Sequence, residues 1–279
     1  MLKIHRLQIL KTVICFGLAL SVAGCFPVKP TADWATSLEG VYSATFSNDG
    51  EYAVIGSMRH GGSLWRVTDT ERLYNWNHAA AMATNVTATA FSPDGKFAVT
   101  ADETTLVLWD VSGGESLRYF NSPGPILSLG LTPNADKALL ALTGGNAVLF
   151  DIRNGGIIAE LPQGGEIQQL SISADGRSAL IGTSAKKAKL WNLITAELLL
   201  EIDTRNPISA LDLSPDGRLA FIAEQLGDAR IWNLESNDLV ITLNYRNTFF
   251  PNYSHFKTAR FSEDGSHLLT GSSSGAMEL

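Results

Sequence analysis

Residues 91–110 read FSPDGKFAVTADETTLVLWD, and this stretch decides the fold. It begins with the turn Phe91–Gly95, in which Pro93 pre-sets φ and Gly95 accepts the left-handed conformation that closes a hairpin. An apolar run follows at Phe97–Thr100, and a second run with alternating character ends on Trp109. Short runs of this kind, separated by turn residues, are typical of an antiparallel sheet.

The same turn recurs along the whole chain. An apolar residue, a hydroxyl residue and a turn occur together six times, at Phe46–Gly50, Phe91–Gly95, Leu131–Ala135, Ile172–Gly176, Leu213–Gly217 and Phe261–Gly265. Successive copies are 45, 40, 41, 41 and 48 residues apart. About 18 residues after each of the first five turns, an aromatic residue closes an alternating run; these residues are Trp65, Trp109, Phe150, Trp191 and Trp232.

A fourth strand follows each aromatic residue, as at Ile157–Leu161 and Leu198–Ile202. Four short antiparallel strands in each repeat predict an all-β propeller of about six four-stranded blades. The register also predicts how the ring closes. Trp34–Leu38 stands where a fourth strand precedes the first blade, while Ala276–Leu279 ends one residue before the sixth aromatic position. Pairing this N-terminal strand with the last blade closes the ring and covers its edges. A truncated chain would end in the same way.

Over roughly Asp33–Leu279 the repeat resembles the WD-repeat family. Trp109-Asp110 is a literal Trp-Asp pair, whereas the other copies read Phe150-Asp151, Trp191-Asn192, Trp232-Asn233 and Trp65-Arg66. The Gly-His pair that precedes the first strand in this family is missing from every blade, with Glu39-Gly40-Val41 as the nearest match. We therefore expect the hydrogen-bonded tetrad that braces many members to be mostly absent. Quinoprotein-like and lactonase-like propellers stay open as alternatives.

The N-terminal 25 residues have the features of an export signal. Lys3, Arg6 and Lys11 form a positive region, and the apolar stretch Thr12–Gly24 is shorter than the roughly 20 residues that cross a membrane. Leu20–Cys25 resembles a lipobox, which implies cleavage before Cys25 and lipid on its sulfur and amine. An ordinary secretory signal with an incidental cysteine and a short buried helix are the alternatives.

The lipobox resemblance divides the chain into a signal peptide (1–24), a lipidated tether (25–32) and the propeller (33–279). Phe26 occupies the position where an inner-membrane retention signal has Asp, so the resemblance implies the outer membrane, facing the periplasm. Removing residues 1–24 takes away three basic residues and changes the net charge from −7 to −10. Such an acidic chain is a poor partner for nucleic acid, because phosphate contacts need Lys and Arg.

Residues suited to catalysis form no pattern in the sequence. His60, His78, His255 and His267 lack metal-ligand spacing, and the mature chain has no cysteine besides Cys25. The repeated aspartates Asp49, Asp94, Asp175, Asp216 and Asp264 share one turn position and are interpreted as turn residues. The chain also lacks a nucleophile elbow and a phosphate-binding glycine-rich loop. We therefore predict no catalytic residue, no metal site and no cofactor.

Two insertions interrupt the regular spacing, at Asn75–Asn85 and Asn244–Phe256. The WD-repeat resemblance implies that both lie in a connection commonly used for binding, between the fourth strand of one blade and the first of the next. Aromatic residues and Arg are also typical of interface hot spots. The predicted partner-binding residues are Trp76, His78, Tyr245, Arg246, Phe249, Phe250 and Tyr253. The alternative is that these aromatics cover the ends of their own blades.

These observations predict a membrane-anchored lipoprotein that acts as a protein–protein interaction scaffold or adaptor in the bacterial envelope. Its predicted contacts are a protein partner and the membrane, the latter through lipid on Cys25. The alternatives are a propeller enzyme, either a hydrolase or a quinone-dependent dehydrogenase, and a periplasmic ligand sensor. Metal or quinone bound to the purified mature protein would favour the enzyme.

Overall fold

The repeats form six antiparallel sheets in a computed structural model, which describes residues 40–78, 84–225, 228–243, 255–275 and 277–279. The described residues all lie in one compact unit, Thr36–Leu279. Five sheets have four strands and the sixth has three, and in each sheet the strands follow chain order. The predicted six-bladed β-propeller is confirmed. Within these ranges no helix is long and apolar enough to cross a membrane.

The strands are numbered in chain order and grouped by blade. Blade 1 comprises β1 (Val41–Phe46), β2 (Tyr52–Ser57), β3 (Gly61–Arg66) and β4 (Glu71–Trp76); blade 2 comprises β5 (Ala88–Phe91), β6 (Phe97–Ala101), β7 (Thr105–Asp110) and β8 (Ser116–Asn121). Blade 3 comprises β9 (Ile126–Leu131), β10 (Lys137–Leu142), β11 (Asn146–Asp151) and β12 (Ile157–Pro162); blade 4 comprises β13 (Ile167–Ile172), β14 (Ser178–Thr183), β15 (Lys187–Asn192) and β16 (Leu198–Asp203). Blade 5 comprises β17 (Ile208–Leu213), β18 (Leu219–Glu224), β19 (Ala229–Asn233) and β20 (Asp238–Leu243); blade 6 comprises β21 (Phe256–Phe261), β22 (Leu268–Ser272) and β23 (Met277–Glu278).

The first strand of each blade lies innermost. β1 contacts β5, and contacts between first strands continue through β9, β13 and β17 to β21. Fourth strands such as β16 and β20 lie at the opposite edge of their sheets, where several aliphatic side chains are exposed. The fold therefore places the first strands at the centre and the fourth strands at the circumference.

The predicted turn chemistry is present where the first strand meets the second. In blade 2 the Ser92 hydroxyl donates to Asp94 Oδ1 at 2.6 Å, the Phe97 amide donates to Ser92 Oγ at 3.0 Å, and Gly95 has a φ of 69°. Equivalent serine–aspartate bonds occur at Ser47, Ser173, Ser214 and Ser262. The interpretation of the repeated aspartates as turn residues is confirmed. Blade 3 departs from this pattern with a 3-10 turn at Pro133–Ala135, in which Thr132 donates to Asp136 instead.

Consecutive blades share apolar cores. The core between blades 1 and 2, for example, contains Val54 and Leu64 of blade 1 together with Phe91 and Trp109 of blade 2. Further cores join blades 2 and 3, 3 and 4, 4 and 5, and 5 and 6. Of the predicted aromatic positions, Trp65, Trp109, Phe150 and Trp191 are buried, whereas Trp232 is partly buried. Packing between the faces of neighbouring sheets therefore contributes much of the stability.

One face of blade 1 shares no such apolar core with another blade among the described residues. Phe46 is 62% exposed, although its counterpart Phe91 in the next blade is 9% exposed. Because Phe91 faces the preceding blade, Phe46 marks the face of blade 1 that is turned away from blade 2. The prediction that Trp34–Leu38 closes the ring concerns residues outside those described, and it stays a prediction.

Candidate interaction surface

The tryptophan of the first predicted insertion lies in the interior. Trp76, the last residue of β4, is fully buried and stacks on Trp109, with ring centroids 5.1 Å apart and planes 10° apart. Its Nε1–H donates to the carbonyl oxygen of Gly114 at 3.1 Å. Trp76 thus joins blade 1 to blade 2 by packing, and its side chain is not presented to a partner.

His78 is also an interior residue, and its ring lies between hydrogen-bonding side chains on both sides. Its own side chain is only 2% exposed. Trp109 Nε1 donates to Thr100 Oγ1 at 2.8 Å, and Thr100 Oγ1 lies 2.8 Å from His78 Nε2. On the other side of the ring, His78 Nδ1 lies 2.8 Å from Thr105 Oγ1 and 3.3 Å from Asp102 Oδ2. Asp102 in turn accepts the Thr104 and Thr105 amides.

This geometry accommodates a neutral imidazole. The Thr100 hydroxyl accepts a hydrogen bond from Trp109 and can donate its own proton to His78 Nε2. In that arrangement the imidazole proton is on Nδ1, which faces Thr105 and Asp102. Burial lowers the pKa of His78 below 6.5, and the nearby Asp102 carboxylate opposes only part of that effect. We conclude that the histidine is neutral at neutral pH.

The carboxylate of Asp102 is held in its ionised form. Burial by itself raises the pKa of Asp102, but hydrogen bonds from the Thr105 hydroxyl and from the Thr104 and Thr105 amides outweigh it, with a smaller effect from His78. The pKa of Asp102 therefore lies below its ordinary value of 3.8. An ionised acceptor next to a neutral histidine is a stable arrangement across the neutral range.

Blade 2 is an exception within the expectation that the tetrad would be mostly absent. The Gly-His pair is missing as written, but Asn77-His78 supplies a histidine that completes a four-residue chain with Asp102, Thr100 and Trp109. The signal in the sequence was Thr100, a hydroxyl residue within an otherwise apolar central strand. At the position of Thr100, blades 1, 3, 4 and 5 have aliphatic residues, namely Ile55, Leu140, Ile181 and Ile222.

The predicted binding residues therefore divide into two groups. Trp76 and His78 lie in the interior, where both side chains contact residues of blade 2. Tyr245, Arg246, Phe249, Phe250 and Tyr253 lie outside the described residues, as does Cys25. Phe256, at the end of the second insertion, is buried against Phe221 with ring centroids 5.6 Å apart.

A different surface, which we call the blade 5 rim, stands out at the circumference. It consists of Leu239, Val240 and Ile241 on β20, which are 46%, 57% and 47% exposed. The neighbouring strand β19 adds Ile231 and Trp232, both only partly buried. Ile231 pairs with Ile241 and Trp232 pairs with Leu239, so apolar side chains continue from one strand to the next. The rim leads directly into the predicted loop 244–256.

The blade 5 rim differs from the other outermost strands in its charge. Exposed aliphatic residues also occur in blades 3 and 4, at Ile157, Ile158, Leu198 and Leu199. However, each other fourth strand places charges within its span: Glu71 and Arg72 in β4, Arg118 in β8, Glu160 in β12, and Glu201 and Asp203 in β16. In β20 the single charge is Asp238 at the first position, and Leu239–Leu243 has none. Sequence reasoning missed this surface because an apolar fourth strand also fits a buried one.

Carboxylates border the rim at one end. Asp238 is exposed, and the exposed Glu235 lies just before it, 3.3 Å from Arg218 Nε. Over the described ranges, no three His, Cys, Asp or Glu side chains are close enough together to hold a metal ion. The described chemistry is thus that of an apolar strip with an acidic end, which suits contact with another macromolecule.

Comparison with known proteins supports the resemblance. Residues 73–110 match the family model of the WD domain, G-beta repeat. The matched segment runs from β4 to β7 and includes His78, Thr100, Asp102 and Trp109, the four residues of the hydrogen-bonded chain. A search of curated proteins found no match to the chain. The chain therefore resembles the WD-repeat propellers in its fold and in one clearly matching repeat.

Proposed function

We propose that the protein is an interaction scaffold of the bacterial envelope, anchored in a membrane by lipid on Cys25 and binding a protein partner through its propeller. The observation that best supports this proposal is the blade 5 rim, where three consecutive aliphatic side chains are about half exposed. Contiguous exposed apolar surface on a soluble domain is a feature of interaction sites. A WD-type propeller, whose general use is protein binding, agrees with this reading.

The charge of the chain supports a protein as the partner. The formal net charge is −7, and the strip itself is uncharged with Asp238 and Glu235 beside it. Nucleic acid and anionic lipid both need a basic surface on the protein that binds them. An apolar strip with an acidic end instead suits a protein surface that is itself apolar and has a basic group at one end. The membrane contact is assigned to the lipid, whose acyl chains contribute roughly 0.8 kcal/mol for each buried methylene.

The partner contact is tested by site-specific photocrosslinking in intact cells. A photoreactive residue is placed at Leu239 in the rim, and the control position is Tyr119, which is comparably exposed on the outermost strand of blade 2. We expect a discrete adduct with one protein from position 239 and none from position 119. Equal labelling from both positions, or no adduct from position 239, would contradict binding through the rim.

The anchor is tested at the cysteine. We expect Cys25→Ser to abolish incorporation of labelled palmitate and to leave the signal peptide attached, because lipoprotein signal peptidase cuts before a lipid-modified cysteine. A cysteine introduced at an exposed propeller position, such as Ser274→Cys in the Cys25→Ser background, is the control for nonspecific acylation. Palmitate labelling of Cys25→Ser, or its processing to the same mature size as the unmodified protein, would contradict the lipid anchor.

The competing enzyme function is tested on the purified mature protein. Stoichiometric calcium or quinone, found by elemental analysis and absorption spectroscopy, would favour a propeller enzyme over the scaffold. A small molecule that binds saturably while photocrosslinking finds no protein would favour the ligand sensor.

A further inference from the structure

We infer that the blade 5 rim binds its partner by strand addition: an extended, apolar segment of another protein pairs with the outer edge of β20, with a basic residue next to Asp238. This inference deepens the proposed function and rests on it. It assigns the kind of partner segment and the residues that receive it.

The first reason is the position of β20 in its sheet. The order of blade 5 is β17-β18-β19-β20, and the inner edge of β20 is occupied by β19, with Ile231 opposite Ile241 and Ala229 opposite Leu243. The backbone groups of alternate residues point to the other side, where no strand of the described ranges pairs with them. Such an edge is a template for another strand.

The second reason is that the segment Leu239–Leu243 of β20 lacks the charged residues that the other outer strands carry within their span. Proteins commonly guard an edge strand with charged residues, proline or a bulge. β16 has Glu201 and Asp203, and β12 has Glu160 and Pro162, whereas Leu239–Leu243 has neither a charge nor a proline. Val, Ile and Thr, which favour extended backbone, occupy positions 240–242.

A bulge limits where the added strand can pair. The register of β19 and β20 shifts between Ile231 and Trp232, which leaves Val240 as the extra residue of β20. The other four-stranded blades have a shift at the equivalent place, so the bulge does not distinguish blade 5. Because a bulge twists the local backbone, regular pairing is expected at Ile241–Leu243, with Val240 as a side-chain contact.

The net charge of the chain favours a different protein, and not a second copy of this chain, as the occupant of the β20 edge. Without residues 1–24, two copies would each bring a net charge of −10, so their approach is opposed at low salt. A basic residue near the C-terminal end of an antiparallel partner segment would lie beside the exposed Asp238. An apolar segment with a basic flank therefore suits this edge better than another β20.

The test uses the full mature protein and a labelled probe peptide of alternating valine and threonine that ends in two lysines. Binding is measured by fluorescence anisotropy. The matched control is a second peptide of the same sequence that is N-methylated at alternate residues. We expect saturable binding that weakens at least tenfold on N-methylation, because that change removes backbone donors from one edge of the peptide. On binding, amide exchange should slow at 241–243 and stay unchanged at 198–203.

Two protein variants locate the site. Val240→Lys should weaken peptide binding at least tenfold, whereas Leu199→Lys should leave it unchanged. Leu199 is a matched control because it is the bulge residue of β16 and is 52% exposed. Both positions are exposed enough for a lysine to be accommodated without unfolding, which circular dichroism checks.

Three outcomes would overturn the inference. They are a lack of saturable peptide binding, equal binding of the N-methylated peptide, and equal effects of the two variants on binding. A dimer in sedimentation analysis that Val240→Lys dissociates would assign the edge to a second copy. If the peptide does not bind while photocrosslinking from Leu239 still captures a protein, strand addition is wrong and the proposed scaffold function is retained. If photocrosslinking from Leu239 captures no protein, the proposed function is itself contradicted.

Discussion

Blades 2 and 4 bury equivalent tryptophans in different surroundings. Each buries a tryptophan on its third strand, Trp109 or Trp191, to the same extent. In blade 2 the indole N–H donates to Thr100 and begins a chain that continues through His78. In blade 4 the position of Thr100 is taken by Ile181, and the buried indole N–H of Trp191 has no hydrogen-bond partner within the described part of the chain.

The difference shows that the propeller accepts either a threonine or an aliphatic residue at this position, although the two residues cost different amounts of free energy. A buried N–H without a partner costs about 1–3 kcal/mol, which blade 4 offsets with the apolar packing of Ile181. Blade 2 satisfies every member of its chain, but it depends on all of them being present. We therefore expect blade 2 to be sensitive to single polar substitutions and blade 4 to be insensitive.

The largest expected effect is that of Thr100→Val. The change keeps the shape of the side chain but removes the hydroxyl that joins Trp109 to His78, leaving two buried nitrogens without their partner. We expect the free energy of unfolding to fall by about 2–4 kcal/mol. Ile181→Val at the matching position of blade 4 should lower it by only about 0.5–1.5 kcal/mol. Denaturant titration measures both, and equal losses would remove the distinction between the blades.

The next effect is the pH dependence that His78 contributes in blade 2. Because the pKa of His78 is lowered in the folded protein, the unfolded chain binds a proton that the folded one does not as the pH falls below about 6.5. The stability that neutral His78 provides is present above that pH and decreases below it, by at most about 1.4 kcal/mol per pH unit. The contribution of Asp102, whose pKa is lowered below 3.8, is lost in a separate and more acidic range.

This dependence is measured as the free energy of unfolding between pH 7.5 and 5. His78→Gln, which cannot titrate, should flatten the profile, and Ile181→Val should keep the profile of the unmodified protein. A profile that stays equally steep in His78→Gln would show that another group is responsible.

The smallest expected effect comes from giving blade 4 the hydroxyl that it lacks. Ile181→Thr should allow Trp191 to donate as Trp109 does, so its stability should lie within about 1 kcal/mol of the isosteric Ile181→Val. A hydroxyl placed in an apolar core without a partner would cost about 1–3 kcal/mol relative to valine. A penalty of that size would mean that the geometry of blade 2 is not reproduced in blade 4.

Much of the fold could be predicted from local patterns. The turns at Ser47, Ser92, Ser173, Ser214 and Ser262 close as expected, because serine, aspartate and glycine make their bonds within six residues of one another. The aromatic positions Trp109 and Trp191 are buried as expected, because alternation along a strand assigns each residue to one face of the sheet.

The candidate sites were less predictable, since they depend on what lies beside each residue. Trp76 and His78 read as exposed aromatic residues of a loop, yet they pack against Trp109 and Thr100, which stand more than 20 residues later in the chain. Leu239–Ile241 reads as an ordinary apolar strand, and only its place at the edge of blade 5 exposes it.

By itself, then, the sequence determined the number of blades, the turns between their strands and the acidic charge of the chain, because these follow from spacing, turn chemistry and composition. The tertiary structure decided that His78 is a neutral interior residue and that β20 presents an uncharged edge. Both depend on contacts between segments distant in the chain, and burial and hydrogen bonding are properties of those contacts.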